Sequence, residues 1–414
     1  GTQQVIYDER SPKYVDHLNK TFYFLEDGRR FIVREETSTG YMHLYLYGIG
    51  QGVLHPITQG EWEVTDFVGL RGDKVYYIST ESSPLKRDLY RVGLDGKHKE
   101  RLTPGDGYYS IYPSADLSYY ICEGGDSSAP GRTDVFNAAG KRVRTLYDNA
   151  PLKEALAEAG LPVREFFTFT TERGDELNGY MLKPLDFDPA KRYPVLLTQY
   201  SGPGSQQVAE GWGPDWEDAL VTHGYIVVCV DPRGTGYRGE EFKKLTYGNL
   251  GRLEVEDQIS TARYMARQSY VDPARIGIYG WSYGGFMALG CAFRGEGLFK
   301  MAIAVAPVTS WRYYDSIYTE NFNGLPDDYP KGYDDNSPVN LAHLFRDDST
   351  RLLIVHGTAD DNVHFQNTME MARALNKLGK QYDMMVYPDQ NHSMMPDDMI
   401  HVREKMLRYT LENL

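Results

Sequence analysis

Across residues 1 to about 150, apolar and polar positions alternate in short runs broken by turn residues. Phe22-Tyr23-Phe24-Leu25 gives way to Glu26-Asp27-Gly28 and then to Phe31-Ile32-Val33. Alternation over such short stretches predicts antiparallel strands joined by hairpins, because successive side chains on a strand face opposite sides. The pattern also repeats. Leu44-Tyr45 recurs as Leu89-Tyr90, Ile57-Thr58 as Leu102-Thr103 and Phe31 as Tyr76, each 45 residues on. A looser third copy runs through Tyr119-Tyr120, Val135-Phe136 and Leu146-Tyr147. Units of about 45 residues with four short strands have the spacing of β-propeller blades; a β-sandwich of coincidental spacing is the alternative. About three blades fit in this length, and three cannot close a ring without leaving strand edges unpaired. The chain is therefore expected to be the C-terminal part of a longer protein.

The segment Leu152-Lys153-Glu154-Ala155-Leu156-Ala157-Glu158-Ala159 is rich in helix formers and stops at Gly160, with Pro162 beyond. That predicts a short linker helix. From about residue 164 the rhythm changes to strands alternating with long helical stretches. Strands are expected at 194–199, 225–231, 275–280, 301–306, 352–356 and 383–387, and helices at 253–267, 286–293, 368–378 and 397–411. Near-continuous apolar strands between helices predict a doubly wound, mainly parallel sheet covered on both faces. The expected division is 1–150 for propeller blades, 151–163 for the linker helix and 164–414 for an α/β catalytic domain.

Composition fits that division. A chain of 414 residues suggests two domains, and 41% hydrophobic with 25% charged residues is a globular profile. No run of about 18 uninterrupted apolar residues occurs, so no membrane-spanning segment is expected. A formal charge of −14 disfavours nucleic acid, whose backbone needs a basic surface. The three cysteines, Cys122, Cys229 and Cys291, are sparse and odd in number. Cys229 lies inside Tyr225-Ile226-Val227-Val228-Cys229-Val230 and reads as a small buried hydrophobe. Without CxxC pairs or clustered His/Cys ligands, structural zinc is not expected.

The chemistry centres on Gly280-Trp281-Ser282-Tyr283-Gly284-Gly285. G-x-S-x-G places a serine on a sharp strand-to-helix turn, where flanking side chains would clash. The context fits, with Ile276-Gly277-Ile278-Tyr279 as the entering strand and Phe286-Met287-Ala288-Leu289 as the leaving helix. The fold class implied is an α/β-hydrolase, with Ser282 as nucleophile. A serine hydroxyl needs a base to take its proton, and the base needs an orienting carboxylate. In this fold they follow in the order Ser, Asp, His. Asp360 follows the apolar strand Leu352–His356, and His392 follows Met384-Met385-Val386-Tyr387. Both fall at C-terminal strand ends, where open α/β sheets place their ligand sites. Asp361 competes with Asp360, and the pattern alone does not choose between them. His356 reads as a structural histidine closing a strand, and His364 as a surface or capping residue.

Three stretches carry a resemblance: residues 280–285, His356-Gly357-Thr358-Ala359-Asp360-Asp361-Asn362-Val363-His364-Phe365, and Trp311-Arg312-Tyr313-Tyr314-Asp315-Ser316-Ile317-Tyr318-Thr319-Glu320. They closely resemble the dipeptidyl-peptidase branch of the prolyl oligopeptidase family, a propeller followed by an α/β-hydrolase domain. Gly60-Glu61-Trp62-Glu63-Val64 extends the likeness more faintly into the blades. The resemblance implies that Asp360 orients His392, and that the Tyr200 hydroxyl and the Tyr283 backbone N–H form the oxyanion hole. It implies a P1 proline pocket lined by Tyr283, Val308, Trp311, Tyr314, Tyr318 and Val363, with Asn362 bonding the carbonyl of the preceding residue. Trp311, Tyr314 and Tyr318 would share one face of a helix at i, i+3, i+7. Arg233, in Asp231-Pro232-Arg233-Gly234-Thr235-Gly236, reads as structural, holding the sheet end.

The implied activity is release of N-terminal dipeptides with proline or alanine at P1, so the partners are peptides with proline second. Tripeptide release, an acylaminoacyl peptidase or esterase, and a non-catalytic binding module are the alternatives. No cofactor or metal is implied; a homodimer and an extracytoplasmic setting are expected from the family alone. A substrate ammonium needs carboxylates. Glu35-Glu36 reads as a solvated turn and Glu240-Glu241 lies in the wrong half, so the family's glutamate pair is expected upstream. Asn321 departs from the arginine expected in close relatives. With part of its substrate site elsewhere, this chain alone is expected to cleave poorly.

Overall fold

The structure, a computed structural model, describes residues 3–16 and 20–414. They form two compact units. One comprises the described residues up to 161 with 209–213 and 236–243; the other comprises 162–208, 214–235 and 244–414.

The first unit contains three antiparallel sheets of four strands each, the propeller-like part of the chain. Strands β1–β4 are Thr21–Phe24, Arg30–Glu35, His43–Gly48 and Gly52–Pro56. Strands β5–β8 are Val64–Arg71, Lys74–Ser79, Asp88–Gly93 and Glu100–Arg101. Strands β9–β12 are Tyr108–Pro113, Tyr119–Gly125, Arg132–Asn137 and Arg142–Tyr147. The two-residue period of β2 decides its packing: Ile32 joins Leu44 and Leu46 against Val64, Val75 and Tyr77 of the second sheet. Phe31 and Val33 turn to the opposite face with Tyr45 and Tyr47. The second sheet repeats the arrangement, with Tyr76, Ile78 and Leu89 against Tyr109, Tyr120, Cys122 and Phe136 of the third. Sheets stacked face to face in this way bury both sides of the middle blade.

The 45-residue repeat has a structural basis. Leu44 and Leu89 lie on the third strands β3 and β7. Their carbonyls accept the N–H of Ile57 and Leu102, both at 2.8 Å. The same hydrogen bond closes the outer strand of each blade. The helix Ala150–Ala159 ends at Gly160, whose φ of 71° is left-handed and whose N–H bonds the Leu156 carbonyl.

One sequence expectation is overturned in this unit. Glu35 and Glu36 are buried, not a solvated turn. Glu35 accepts the Thr37 and Ser38 hydroxyls at 2.7 and 2.5 Å, and Glu36 pairs with Lys243 Nζ at 2.5 Å. The Lys243 ammonium comes from the short helix Glu240–Lys243, a contribution from distant sequence that no local pattern announces.

The second unit is built on an eight-stranded sheet in the order β13-β14-β16-β15-β17-β18-β19-β20. The strands are Glu165–Thr170, Glu176–Leu182, Tyr193–Thr198, Ile226–Asp231, Val271–Trp281, Met301–Val305, Arg351–Gly357 and Asp383–Tyr387, numbered β13 to β20. All pairings among β15 to β20 are parallel, whereas β13–β14 and β14–β16 are antiparallel. The sequence pattern exposed the six later strands and missed the β13–β14 hairpin. Strands β15, β16 and β18 are buried at every residue, as expected of a sheet covered on both faces. The principal helices are Leu253–Ala266, Tyr283–Arg294, Gln366–Lys377 and Pro396–Asn413. The chain passes from β15 outward to β16, then back across β15 to β17. That reversal is a topological switch point, and the C-terminal ends of β15 and β17 lead into Tyr200 and Ser282.

Candidate active site

Strand β17 ends at Trp281 and the helix Tyr283–Arg294 begins two residues later, leaving Ser282 alone on the turn with φ 61° and ψ −115°. A left-handed backbone at a non-glycine residue is strained and is held only where its surroundings fix it. Here they do. The Ser282 N–H bonds the Val305 carbonyl at 2.8 Å, and Gln199 Nε2 bonds the Gly284 carbonyl at 2.9 Å. A Cβ at Gly280 would lie 2.2 Å from the Gly284 carbonyl oxygen, and one at Gly284 would lie 2.5 Å from that of Gln199. The turn therefore closes only with glycine at both places. Gly280→Ala is expected to destabilise the fold by about 3 kcal/mol or more, read as a lowered thermal midpoint.

Asp360 and His392 meet directly. His392 Nδ1 lies 2.7 Å from Asp360 Oδ2, and the same oxygen is 3.1 Å from His356 Nε2. The other carboxylate oxygen accepts the backbone N–H groups of Asn362 and Val363, both at 2.9 Å. Burial alone would raise the Asp360 pKa. The hydrogen bonds from His356 and His392 outweigh it and hold the carboxyl well below the usual range. His356 is itself fixed, with Nδ1 2.7 Å from the Thr368 hydroxyl and Nε2 2.8 Å from the Val363 carbonyl. Asp361 and His364, the rivals in the sequence, are exposed and line a separate concavity with Arg312 and Asp315.

Ser282 and His392 open onto one cavity of about 520 Å³, which Tyr200, Trp281, Tyr314 and Asn362 also line. Burial pushes the Tyr200 hydroxyl above the ordinary phenol pKa, so it keeps its proton and can donate. The Tyr200 ring centroid is 5.9 Å from that of Tyr283. Asn362 Oδ1 accepts the Tyr314 hydroxyl at 2.6 Å, which leaves the Asn362 amide N–H₂ free to donate elsewhere.

The aromatic residues gather as expected but not by the expected geometry. Trp311 is in a short 3₁₀ turn, Tyr314 is extended, and Tyr318 is in the helix Ser316–Asn323, so no single helix face carries them. The break comes at Asp315, which caps the new helix by accepting the Tyr318 N–H at 2.8 Å. The rings nonetheless cluster, with Tyr283–Trp311 at 5.3 Å, Trp311–Tyr318 at 6.2 Å and Tyr314–Tyr318 at 5.4 Å. Tyr314 and Asn362 line the Ser282 cavity itself, while Tyr283, Val308, Trp311 and Val363 are buried.

A model of the prolyl oligopeptidase family matches residues 212–414, and one of the dipeptidyl peptidase IV N-terminal region matches residues 1–130. The chain belongs to the prolyl oligopeptidase family. It is 41% identical over 366 residues to the dipeptidyl-aminopeptidase B of Aspergillus niger, an overlap of 86% of this chain and 40% of that one. The protein named probable dipeptidyl-aminopeptidase B of Pyrenophora teres is 40% identical over 367 residues, with the same shares. The crystal structure of Porphyromonas gingivalis dipeptidyl peptidase 4 is similar with a TM-score of 0.93 and 41% identity, covering 98% of this chain and 57% of that one. The chain thus spans about 40% of the length of the curated family members it matches.

Several supporting residues escaped the sequence reading of this family member. Gln199 holds the turn, and Trp281 Nε1 donates to the His392 carbonyl at 3.1 Å. Arg233, read as structural, binds Asp257 through Nη2 at 2.6 Å and Asp175 through Nη1 at 3.0 Å. Beneath the pocket, the Tyr283 hydroxyl donates to Glu254 Oε1 at 2.7 Å. Burial pushes the Glu254 carboxyl up to about 7, against the pull of the Tyr283 hydrogen bond. The signal for this buried network was a polar stripe, Glu254, Asp257, Gln258 and Thr261, at helical spacing; such a stripe ordinarily faces water. Among the described residues no group of His, Cys, Asp or Glu is arranged to hold a metal ion. No helix among them is long and apolar enough to cross a membrane.

Proposed function

We propose that the full protein is a serine exopeptidase releasing N-terminal dipeptides with proline or alanine at P1, and that Ser282, His392 and Asp360 are its triad. The observation that carries this reading is the 2.7 Å bond from His392 to a buried Asp360, at a cavity shared with a Ser282 held in a left-handed turn. With Nδ1–H donated to Asp360, the His392 ring has its free lone pair on Nε2, the tautomer a base requires.

Ser282 Oγ attacks the carbonyl carbon of the P1 residue as His392 Nε2 takes its proton. The Tyr200 hydroxyl and the Tyr283 N–H, at the start of a helix, donate to the oxyanion that forms. Collapse of the tetrahedral species breaks the C–N bond, and the imidazolium returns its proton to the leaving amine. Water, deprotonated by His392, then cleaves the acyl ester and frees the dipeptide and the serine. Tyr283, Val308, Trp311, Tyr314, Tyr318 and Val363 favour a compact apolar P1 ring, which gains from burial against aromatic faces. The Asn362 amide, its oxygen already engaged by Tyr314, has N–H groups for the carbonyl of the preceding residue.

The test is mass spectrometry of the products formed from an unblocked Xaa-Pro-Xaa-Xaa-Xaa-Xaa peptide by the full-length protein. Dipeptide release from the free N-terminus, abolished by N-acetylation, is expected. Release of tripeptides, or cleavage of the acetylated peptide at an equal rate, would contradict the dipeptidyl reading.

A further inference from the structure

Glu254 is fully buried in the first turn of the helix Leu253–Ala266, and among the described residues no basic side chain pairs with its carboxylate. An ionisable group in such a place is costly to bury, and a helix can be capped more cheaply by a residue at its surface. What Glu254 does contact is specific. Its Oε1 accepts the Tyr283 hydroxyl at 2.7 Å and the Gly251 N–H at 3.0 Å, and its Oε2 lies 3.1 Å from the same N–H. Tyr283 immediately follows Ser282. Its ring lies between Tyr200 at 5.9 Å, Trp311 at 5.3 Å and Phe286 at 5.3 Å. Ring packing fixes the plane of an aromatic side chain, but a hydrogen bond at the far end fixes how deep it sits.

We propose that Glu254 is a positioning residue that sets P1 selectivity: by anchoring the Tyr283 hydroxyl from below, it holds the ring that closes the aromatic pocket beside Ser282. This rests on the peptidase reading above. The carboxylate touches neither substrate nor the reacting atoms, so its effect passes through Tyr283. With the ring fixed, the pocket keeps the width of a five-membered ring. With the ring free to sink or tilt, proline loses contact area while the smaller alanine loses little. The Tyr283 backbone N–H is held separately by the helix start and the Ser282 turn. The oxyanion hole should therefore survive loss of the side-chain anchor.

Glu254→Gln keeps the size of the side chain but replaces the carboxylate acceptor by a neutral amide, whose hydrogen bond to the Tyr283 hydroxyl is weaker. In the full-length protein it is expected to raise KM for an Ala-Pro substrate about tenfold, with kcat changed less than threefold. KM for Ala-Ala should change less than threefold, so the proline preference narrows. Ser282 should still react with a fluorophosphonate at the wild-type rate, which a merely misfolded variant would not do. Tyr283→Phe removes the same bond from its other end and should narrow the preference similarly, with no further loss on adding Glu254→Gln. If Glu254→Gln does not fold, Tyr283→Phe decides alone. Unchanged proline-to-alanine preference in the folded variant, or equal losses on both substrates, would overturn the role of Glu254. A wild-type protein that cleaves neither substrate would overturn the peptidase reading and this inference together, and is distinguishable because the variant is then not the cause.

Discussion

Replacing Ser282 with alanine is expected to lower kcat/KM on Xaa-Pro substrates by about six orders of magnitude while leaving the fold intact. The size follows from what the substitution removes. Without Oγ there is no acyl ester, and the His392–Asp360 pair has no proton to take. The oxyanion donors at Tyr200 and Tyr283 remain, so a residual rate of about 10³-fold over water is expected. Stability should change by less than about 0.5 kcal/mol, because the Ser282 side chain makes no capping hydrogen bond to its helix. Alanine tolerates the left-handed φ no worse than serine does. Steady-state kinetics with a thermal melt on the same sample check both halves. Activity within tenfold of wild type would mean that another group is the nucleophile.

Asp360→Asn is expected to cost about 10⁴-fold in kcat, with a smaller change in KM. Four donors converge on this carboxylate: His392, His356 and the N–H groups of Asn362 and Val363. An asparagine that keeps its oxygen toward the two backbone groups turns its N–H₂ toward both histidines. His392 can then accept on Nδ1 only by carrying its proton on Nε2, where it cannot deprotonate Ser282. Unlike the serine variant, this one should also be destabilised, by about 1–3 kcal/mol for a buried donor left without a partner. The pH dependence has a definite sign. Because the folded state holds the Asp360 carboxyl below its ordinary value, its contribution is full above an unfolded-state pKa of about 3.9 and is lost as pH falls. Denaturant titrations should therefore show a wild-type advantage over Asp360→Asn that is larger at pH 7 than near pH 3. An advantage that grows toward low pH would contradict the assignment of that charge.

Much of this site was legible because its chemistry depends on short local patterns. The turn around Ser282 needs glycine where backbone atoms approach within contact distance, and glycine shows in any sequence. The buried parallel strands announce themselves as apolar runs, so the positions of Asp360 and His392 at strand ends could be read directly. The blades declared themselves by repetition, since Leu44 and Leu89 serve the same hydrogen bond one unit apart.

What escaped the reading depends on contacts between distant segments. Glu36 looked like a surface turn because its partner Lys243 lies two hundred residues away in sequence. The i, i+3, i+7 spacing of Trp311, Tyr314 and Tyr318 suggested a helix. Asp315 starts a new helix between them, and tertiary packing rather than helical periodicity brings the rings together. The helix Leu253–Ala266 is the sharpest case. Its polar stripe would normally mark a solvated face, yet Glu254, Asp257 and Gln258 are buried and hydrogen-bonded to Tyr283, Arg233 and the Val230 carbonyl. The hydrophobic pattern records burial only where the buried groups are apolar.

The most direct test of the central claim is peptide mapping of the full-length protein after reaction with a fluorophosphonate. A single adduct on Ser282 is expected, forming far more slowly in Asp360→Asn. An adduct on any other residue, or none under conditions that label a control serine hydrolase, would contradict Ser282 as the nucleophile.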